Sequence, residues 1–302
     1  MLDLTAIILT LNEEKHIERS VRSAKEVARY VLVIDSFSCD RTVDIACSLG
    51  AQVEQHSFRN QADQLQWALD YCNLQTEWVL RLDADEYLEP GLVAEIRQKL
   101  PALPGDVDGI YLKRKAIFMG RWIRYGGVYP LFLLRLWRRN RGRVEQRWMD
   151  EHIVLPAGAR TVIAQCHLVD DNHKGINFWV DKHNHFASRE MVDLLNIKYS
   201  LFDKDEGLKA IDDSQAKRKR VIKELVYSKL PPGFRALLYF FYRYFLRLGF
   251  LDGRIGLIYH FLQGFWYRFL VDVKMMEIEK LAGGDLEKVK QLIQEKHGIE
   301  IS

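Results

Sequence analysis

The first hundred residues alternate between short apolar runs and amphipathic stretches. The runs of period two or of continuous apolar character predict strands, and the stretches of helical spacing predict helices. The predicted strands are 5–10, 30–35, 52–56 and 77–83, and the predicted helices are 12–27, 41–48, 61–72 and 90–100. Pro90 fits the first turn of the last of these helices, where no backbone donor is needed. Regular strand–helix alternation of this kind predicts a doubly wound α/β domain.

The pattern changes in the second half of the chain. Two more strands are predicted at 109–115 and 132–137, and apolar residues at helical spacing between 176 and 191 predict a long amphipathic helix that closes the domain. A charged stretch follows, and LPPGF at 230–234 breaks it. We therefore expect three parts, which are an α/β domain at 1–200, a charged helical linker at 201–230 and an aromatic-rich helical region at 231–302.

Aromatic and aliphatic residues dominate 236–271, but charged residues interrupt them. Arg243, Arg247 and Arg268 leave no uninterrupted apolar run long enough to cross a bilayer. One interpretation is an interfacial module with aromatic rings at the lipid headgroups and arginines facing anionic lipid. The other is a helical hairpin packed on the α/β domain or across a homodimer interface. We favour membrane association.

Composition narrows the class of protein. The chain has 302 residues, of which 48% are hydrophobic and 28% charged, as in globular proteins. A net charge of +3 gives no reason to expect nucleic acid as a partner. The four cysteines show no paired spacing, which favours a reducing compartment. The N-terminus has no basic, apolar leader, so we expect the protein in the cytoplasm.

Acidic residues stand where predicted strands end. Asp35 ends the second strand, and Asp83 ends the fourth, two residues before Asp85 in RLDADE. Ligands of open α/β sheets bind beyond the carboxyl ends of the strands, and paired carboxylates suit Mg or Mn bound to a diphosphate. A DxD triplet also arises by chance, because Asp is common in turns.

Three motifs in order strengthen that interpretation. TLNEE at 10–14, IDSFSCDRT at 34–42 and the DxD of RLDADE resemble the inverting glycosyltransferases of family 2, which have the GT-A fold. The resemblance implies a nucleotide-sugar donor, with UDP as the expected nucleotide, and a divalent Mg or Mn cofactor. The residues implied are Thr10, Asn12 and Glu13 in the nucleoside pocket, Asp35 on the base, and Asp83 and Asp85 at the metal and diphosphate. Asn12 could instead cap the following helix.

A further stretch narrows the resemblance. MGRWIRYGGVYPLFLLRLWRR at 119–139 is similar to bacterial lipopolysaccharide-core β-1,4-glucosyltransferase-like proteins, and the similarity extends over roughly residues 4–195. It implies a glycan, glycolipid or lipid-linked acceptor at the inner face of the cell membrane. Gly126 and Gly127 would let the backbone approach the sugar, and Arg135 could face phosphate or an acidic acceptor.

An inverting transfer needs a base that takes the proton of the acceptor hydroxyl. In RWMDEHI the resemblance favours Glu151, with Asp150 as the alternative. The histidine-rich stretch at 167–190 offers His173 and Lys182 as contacts to the diphosphate or acceptor. The spacing of its histidines matches no zinc site.

Other functions fit the sequence less well. A nicotinamide-dependent oxidoreductase or a sugar-nucleotide pyrophosphorylase would carry a glycine-rich loop after the first strand, and LTLNEEKH has none. A transferase acting on a polyprenyl phosphate, of the dolichol-phosphate type, would use the same donor motifs. A non-catalytic nucleotide-sugar-binding protein would keep the same fold.

Overall fold

The computed structural model describes residues 1–145, 152–202 and 230–299. The chain divides into two compact units, the first made of 1–124, 128–146 and 151–173, and the second of 125–127, 147–150 and 174–302. Most of the linker expected at 201–230 lies outside the described residues, so its helical character stays a prediction.

The first unit is built on a mixed sheet. Its strands are β1 (Leu2–Thr10), β2 (Ala28–Asp35), β3 (Gln52–Gln55), β4 (Trp78–Asp83), β5 (Glu86–Leu88), β6 (Val107–Phe118), β7 (Arg121–Trp122), β8 (Leu131–Arg138) and β11 (Arg160–Asp171). They run in the order β3-β2-β1-β4-β8-β6-β11-β5, with β7 beside β6. Strands β3, β2, β1 and β4 are parallel, and β8 is antiparallel to both of its neighbours. A small separate pair is formed by β9 (Arg143–Val144) and β10 (Ile153–Val154).

Helices cover the parallel part of the sheet. They are α1 (Ile17–Lys25), α2 (Thr42–Ser48), α3 (Gln61–Tyr71) and α4 (Pro90–Lys99). Alternate residues of β1 enter different apolar clusters: Ile8 packs with Val21 of α1, and Ile7 packs with Leu65 of α3. A strand that is buried on both faces has a continuous apolar sequence, and this is why the apolar run at 5–10 predicted β1.

A tight hairpin joins β6 to β7. Phe118 pairs with Arg121, so the connecting loop is only Met119 and Gly120. Both loop residues have positive φ, +50° and +75°, as a two-residue type I′ turn requires. The hairpin places Trp122 opposite Ile117 at the end of β6.

The second unit is helical. It contains α5 (Gly175–Tyr199), α6 (Phe234–Phe241), α7 (Gly253–His260), α8 (Tyr267–Ala282) and α9 (Leu286–His297). Leu195, Ile278 and Ile293 join three of these helices in one apolar core. Helix α5 thus belongs to this unit, although the sequence suggested that it completes the first domain. Within the described parts of the chain, no helix combines the length and apolar character needed to span a bilayer.

The YGG segment at 125–127 is part of the second unit and packs inside it. The backbone N–H of Tyr125 donates to Asp252 Oδ2 at 2.9 Å, and Arg243 Nε donates to the Gly126 carbonyl at 3.0 Å. A Cβ added to Gly126, whose φ is +66°, would lie 2.0 Å from the ring of His260. The glycine is therefore needed for close packing on a histidine, a constraint that the sequence does not reveal.

Gly126→Ala should lower the free energy of unfolding by about 2–4 kcal/mol, because overpacking adds to the left-handed backbone penalty of about 1 kcal/mol. Gly127→Ala is the matched control: its φ is +72°, but the nearest atom to an added Cβ is 3.8 Å away. Chemical denaturation measures both losses. Equal losses for the two variants would contradict this account of Gly126.

Stability should also depend on pH through His260. Burial, reinforced by the positive charge of Arg243, lowers the pKa of His260 from 6.5 to about 4. The unfolded chain therefore binds a proton that the folded chain does not between these values, and the free energy of unfolding should fall as pH falls from 6.5 to 4, by the order of 3 kcal/mol. Urea titrations at pH 7 and 4.5 should show a smaller loss in His260→Gln than in the unmodified chain. An identical loss would show that His260 is not the cause.

Candidate active site

Three parallel strands carry polar residues to one edge of the sheet. Thr10 lies opposite Asp35 in the β1–β2 register, and Leu9 lies opposite Asp83 in the β1–β4 register. The carboxyl ends of adjacent parallel strands form the usual ligand crevice of such sheets. The structure therefore brings the strand-end residues singled out by the sequence to one place.

Asp35 is fully buried at this edge. Its carboxylate accepts hydrogen bonds from Thr10 Oγ1 at 3.1 Å and from the Ser38 backbone N–H at 2.9 Å. The Ser38 hydroxyl also donates to it, and Gln55 Nε2 lies at 3.5 Å. No structural role for Asp35 is apparent from the sequence. In the structure it organises the turn that follows β2.

The loops after β1 and β2 are bonded to each other. The Asn12 N–H donates to Ser38 Oγ at 2.7 Å, the Cys39 N–H donates to Asn12 Oδ1 at 2.8 Å, and the Glu13 N–H donates to Thr42 Oγ1 at 2.7 Å. Asn12 has a φ of +55°, which Asn tolerates better than most residues. The alternative that Asn12 caps the next helix is wrong, because its side chain is used here and α1 begins only at Ile17.

Asp83, whose side chain is partly exposed, pairs with the buried Arg135, which also pairs with the buried Glu86. Arg135 donates to Asp83 Oδ2 at 3.0 Å and to Glu86 Oε1 at 2.7 Å. Burial raises the pKa of Glu86 to about 7, with Arg135 opposing and Asp83 adding to the rise. Burial disfavours charge on Arg135 as well, but its two carboxylate partners outweigh that effect and raise its pKa. The sequence predicted that Arg135 faces a ligand, but this residue is only 6% exposed. It pairs with Asp83 and partly neutralises the charge of that carboxylate.

Asp85 is anchored by the end of β11. Asn172 Nδ2 donates to Asp85 Oδ2 at 3.0 Å, and the Asp171 N–H donates to the Asp85 carbonyl at 3.1 Å. Asn172 and Asp171 were missed by the sequence analysis, because β11 was not predicted and the contact spans more than eighty residues. Both follow an apolar, strand-like run, which is the signal that could have found them.

A chain of polar contacts leads from Asp171 to the β1 loop. Asp171 Oδ2 accepts from Arg19 at 2.9 Å and lies 2.8 Å from His173 Nε2. The His173 N–H donates to Nε2 of His16, so the proton of that imidazole is on Nδ1, 2.6 Å from Glu13 Oε2. His173 therefore lies beside the loop that holds Asp85, and Glu13 is fixed by His16.

The fit to a divalent cation can be judged from these ligands. Among the residues that the structure describes, no group of three or more His, Cys, Asp or Glu side chains could hold a metal by itself. Mg²⁺ is commonly held by one or two carboxylates together with substrate phosphates and water. Asp85, with Asp83 nearby, fits a cation that binds together with a diphosphate.

The other predicted site residues lie in the second unit or outside the described residues. Lys182 is on α5 in the second unit, where its Nζ lies 5.7 Å from the ring centre of Phe186. Glu151 and Asp150 are outside the described residues. Their assignment as the base stays a prediction.

Part of the chain is similar in sequence to known bacterial glycosyltransferases. The chain is 28% identical to the lipopolysaccharide core biosynthesis glycosyltransferase LpsC of Rhizobium meliloti over 162 residues, which are 52% of this chain and 58% of LpsC. It is 42% identical to an uncharacterized glycosyltransferase of Rickettsia bellii over 93 residues, 31% of each protein. The matched part thus spans from about a third to just over half of these relatives.

Two solved structures are similar to this chain at low sequence identity. The mannosyltransferase PcManGT of Pyrobaculum calidifontis, in complex with GDP-Man and Mn²⁺, is 15% identical with a TM-score of 0.47, covering 91% of this chain and 87% of that one. Glucosyl-3-phosphoglycerate synthase of Mycobacterium tuberculosis, with Mn²⁺ and UDP, is 20% identical with a TM-score of 0.32, covering 38% and 44%.

The predicted fold is confirmed as a GT-A-like mixed α/β sheet with a C-terminal helical region. The family model Glycosyl transferase family 2 matches residues 5–162, a range that includes Asp35, Asp83 and Asp85. Because that match covers more than half of the chain, the chain belongs to glycosyl transferase family 2.

Proposed function

We propose that this protein is an inverting, metal-dependent glycosyltransferase that moves a sugar from UDP-sugar to a hydroxyl of a cell-surface glycan or glycolipid. The observation that supports it best is the meeting of Thr10, Asp35 and Asp83 at one sheet edge, with Asp85 two residues further on. The family and the similarity to LpsC support transfer to a lipopolysaccharide core.

In this proposal the loops after β1 and β2 bind the nucleoside. Asn12 and Glu13 hold the first loop against the second through their backbone N–H groups. Asp35 already has several donors, so contact with the base would replace the longest of them, the 3.5 Å contact to Gln55. A pocket of cross-linked loops is preorganised, which lowers the entropic cost of binding.

Asp83 and Asp85 would have different roles at the diphosphate. Asp85 would hold the cation, because Asp83 shares Arg135 with Glu86 and carries less effective negative charge. When bound, Mg or Mn supplies Lewis-acid stabilisation of the leaving diphosphate. Arg135 would hold the Asp83 carboxylate in place. We also propose that His173 and Lys182 contact the diphosphate or the acceptor.

The chemical step is a single displacement. The acceptor oxygen forms a bond to the anomeric carbon while the bond from that carbon to the diphosphate oxygen breaks, and the configuration inverts. The hydroxyl proton passes to a carboxylate, for which we propose Glu151 or, in its place, Asp150.

The second unit supplies a surface for membrane attachment. Large apolar side chains that are exposed cluster from the end of α6 to the start of α7, and they include Phe241, Tyr242, Phe245, Leu246, Leu248 and Phe250. Arg247 and Arg254 are exposed in the same stretch. Apolar residues beside arginines suit a membrane that contains anionic lipid. Each arginine near the surface would add about 1 kcal/mol to the free energy of membrane binding. We propose peripheral binding at the cytoplasmic face of the cell membrane.

Leu246→Asp should weaken binding to anionic vesicles at least tenfold, because Leu246 is 76% exposed and an acidic residue there would be repelled by the lipid. Leu286→Asp, at an exposed leucine of α9, is the control and should float like the unmodified chain. Flotation with phosphatidylglycerol vesicles at low and high salt measures both. Absence of the unmodified chain from the vesicles at both salt concentrations, with a concentration-dependent dimer in solution, would favour a homodimer interface instead.

The transferase proposal itself is tested by a panel of nucleotide sugars with Mn²⁺. Transfer to a lipopolysaccharide-core oligosaccharide with an inverted anomeric centre in the product, read by NMR, is the expected result. Transfer only to a polyprenyl phosphate would support the dolichol-phosphate type of enzyme. Donor binding with neither transfer nor hydrolysis would support a non-catalytic binding protein.

A further inference from the structure

A strip of polar and aromatic side chains lies on the first unit's sheet apart from the donor residues. We call it the Trp122 strip, and it consists of Glu89, Lys115, Trp122, Tyr129 and His167. Its members come from the residue after β5, from β6, β7 and β11, and from the segment before β8. Neither the nucleoside pocket nor the metal site uses any of them.

The strip shares a sheet face with the end of β11. Val169 pairs with Lys115 and Asp171 pairs with Ile117, which in turn pairs with Trp122. Alternate residues of a strand point to the same face, so Lys115, Trp122 and His167 point to the face that carries Asp171.

The face therefore runs from the metal site toward the strip. His167 is four residues before Asp171, a separation of about 13 Å along the strand. Asp171 bonds through its backbone N–H to the Asp85 carbonyl. An extended ligand on this face could thus have one end at the strip and the other near Asp85.

Hydrogen bonds connect the strip. Tyr129 Oη lies 2.9 Å from His167 Nε2, His167 Nδ1 lies 3.2 Å from Glu89 Oε2, and Lys115 Nζ donates to Glu89 Oε1 at 2.5 Å. Only about a quarter of each of the His167, Glu89 and Lys115 side chains is exposed. Their hydrogen-bonding groups are therefore held in fixed directions while part of each still reaches solvent.

Trp122 contacts three other members of the strip. Its ring meets Tyr129 edge-on at 5.1 Å and His167 at 5.6 Å, and Lys115 Nζ is 5.1 Å from its centre. Within the described residues its buried indole Nε1–H has no hydrogen-bond partner. A buried donor without a partner costs stability, so a ligand that accepts from it would be favoured.

We propose that the Trp122 strip binds the acceptor and that it selects a saccharide over a polyprenyl phosphate. The inference rests on the proposed function, and it deepens it by assigning the residues that bind and select the acceptor. Phenol, imidazole, carboxylate, ammonium and indole groups together present the donors and acceptors that sugar hydroxyls need. A polyprenyl chain carries no hydroxyl groups for these side chains, and it would leave the indole Nε1–H of Trp122 without an acceptor.

Kinetics with a lipopolysaccharide-core oligosaccharide test the strip. Tyr129→Phe and Trp122→Phe each remove one polar group and keep an aromatic ring, and each should raise the KM for the oligosaccharide about tenfold or more. Hydrolysis of the donor by water and binding of UDP with Mn²⁺ should change by less than about twofold. Tyr71→Phe is the control, because Tyr71 is an exposed tyrosine on α3. Equal KM values for Tyr129→Phe and the unmodified chain would overturn the proposal.

A second measurement does not depend on turnover. The indole N–H resonance of Trp122, assigned by its loss in Trp122→Phe, should shift when the oligosaccharide is added and stay in place with UDP or with a short-chain polyprenyl phosphate. A resonance that moves only with the polyprenyl phosphate, or with neither acceptor, would overturn the proposal. Failure of UDP to bind would instead count against the proposed function, and the oligosaccharide titration would still decide about the strip.

Discussion

Asp85→Ala should lower turnover by roughly a thousandfold or more, the scale expected when electrostatic stabilisation of a leaving group is lost. Asp85 is the member of the DxD pair that accepts from Asn172 and is not in the Arg135 cluster. Removing its carboxylate takes away the proposed protein ligand of the cation. Steady-state transfer rates at saturating Mn²⁺ measure the effect, and UDP affinity should fall with them.

Asp70→Ala is the control for a lost carboxylate. Asp70 is exposed on α3, and among the described residues its carboxylate accepts a hydrogen bond from Gln66 alone. This variant should keep full activity. Full activity of Asp85→Ala in the presence of a chelator would contradict the assignment of the metal to Asp85.

Glu151→Gln should reduce turnover by about 10²–10⁴-fold while UDP affinity stays nearly unchanged. The amide keeps the size of the side chain but cannot take the proton of the acceptor hydroxyl. Asp150→Asn makes the same change at the neighbouring position, and the larger of the two effects identifies the base. Turnover should be compared with UDP binding for each variant.

If both variants transfer at the normal rate, the base is elsewhere in the chain. If either loses UDP binding in proportion to its activity, the side chain supports the donor site and does not act as a base. The double variant distinguishes a shared role, because two residues that act as one unit give an effect no larger than the stronger single change.

The sequence pattern predicted the parallel half of the fold well. Strands at 5–10, 30–35 and 77–83 correspond to β1, β2 and β4, since strands buried on both faces are apolar along their length. The pattern was less accurate for the start of α1, where hydrogen bonds of a loop take the place of helical backbone bonds. The helix predicted from residue 12 begins at Ile17, because Asn12 and Glu13 bond to the loop after β2.

The candidate site was predictable only in part, for a related reason. Residues at strand ends can be found from local pattern, and Asp35, Asp83 and Asp85 were found in that way. Arg135 was predicted to face a ligand, but it is buried between Asp83 and Glu86, fifty residues away in sequence. Partners brought together by antiparallel pairing across the sheet leave no periodic signal, and the bond between Asn172 and Asp85 is of the same kind.

Isothermal titration of UDP into the unmodified chain, with Mn²⁺ and again with excess chelator, tests the central claim most directly. A nucleotide-sugar transferase whose cation binds together with the diphosphate should bind UDP with Mn²⁺ and lose at least tenfold in affinity when the metal is removed. Asp85→Ala with Mn²⁺ should resemble the unmodified chain with chelator. UDP affinity that is the same with metal and with chelator, or no binding of any nucleoside diphosphate under either condition, would contradict the account.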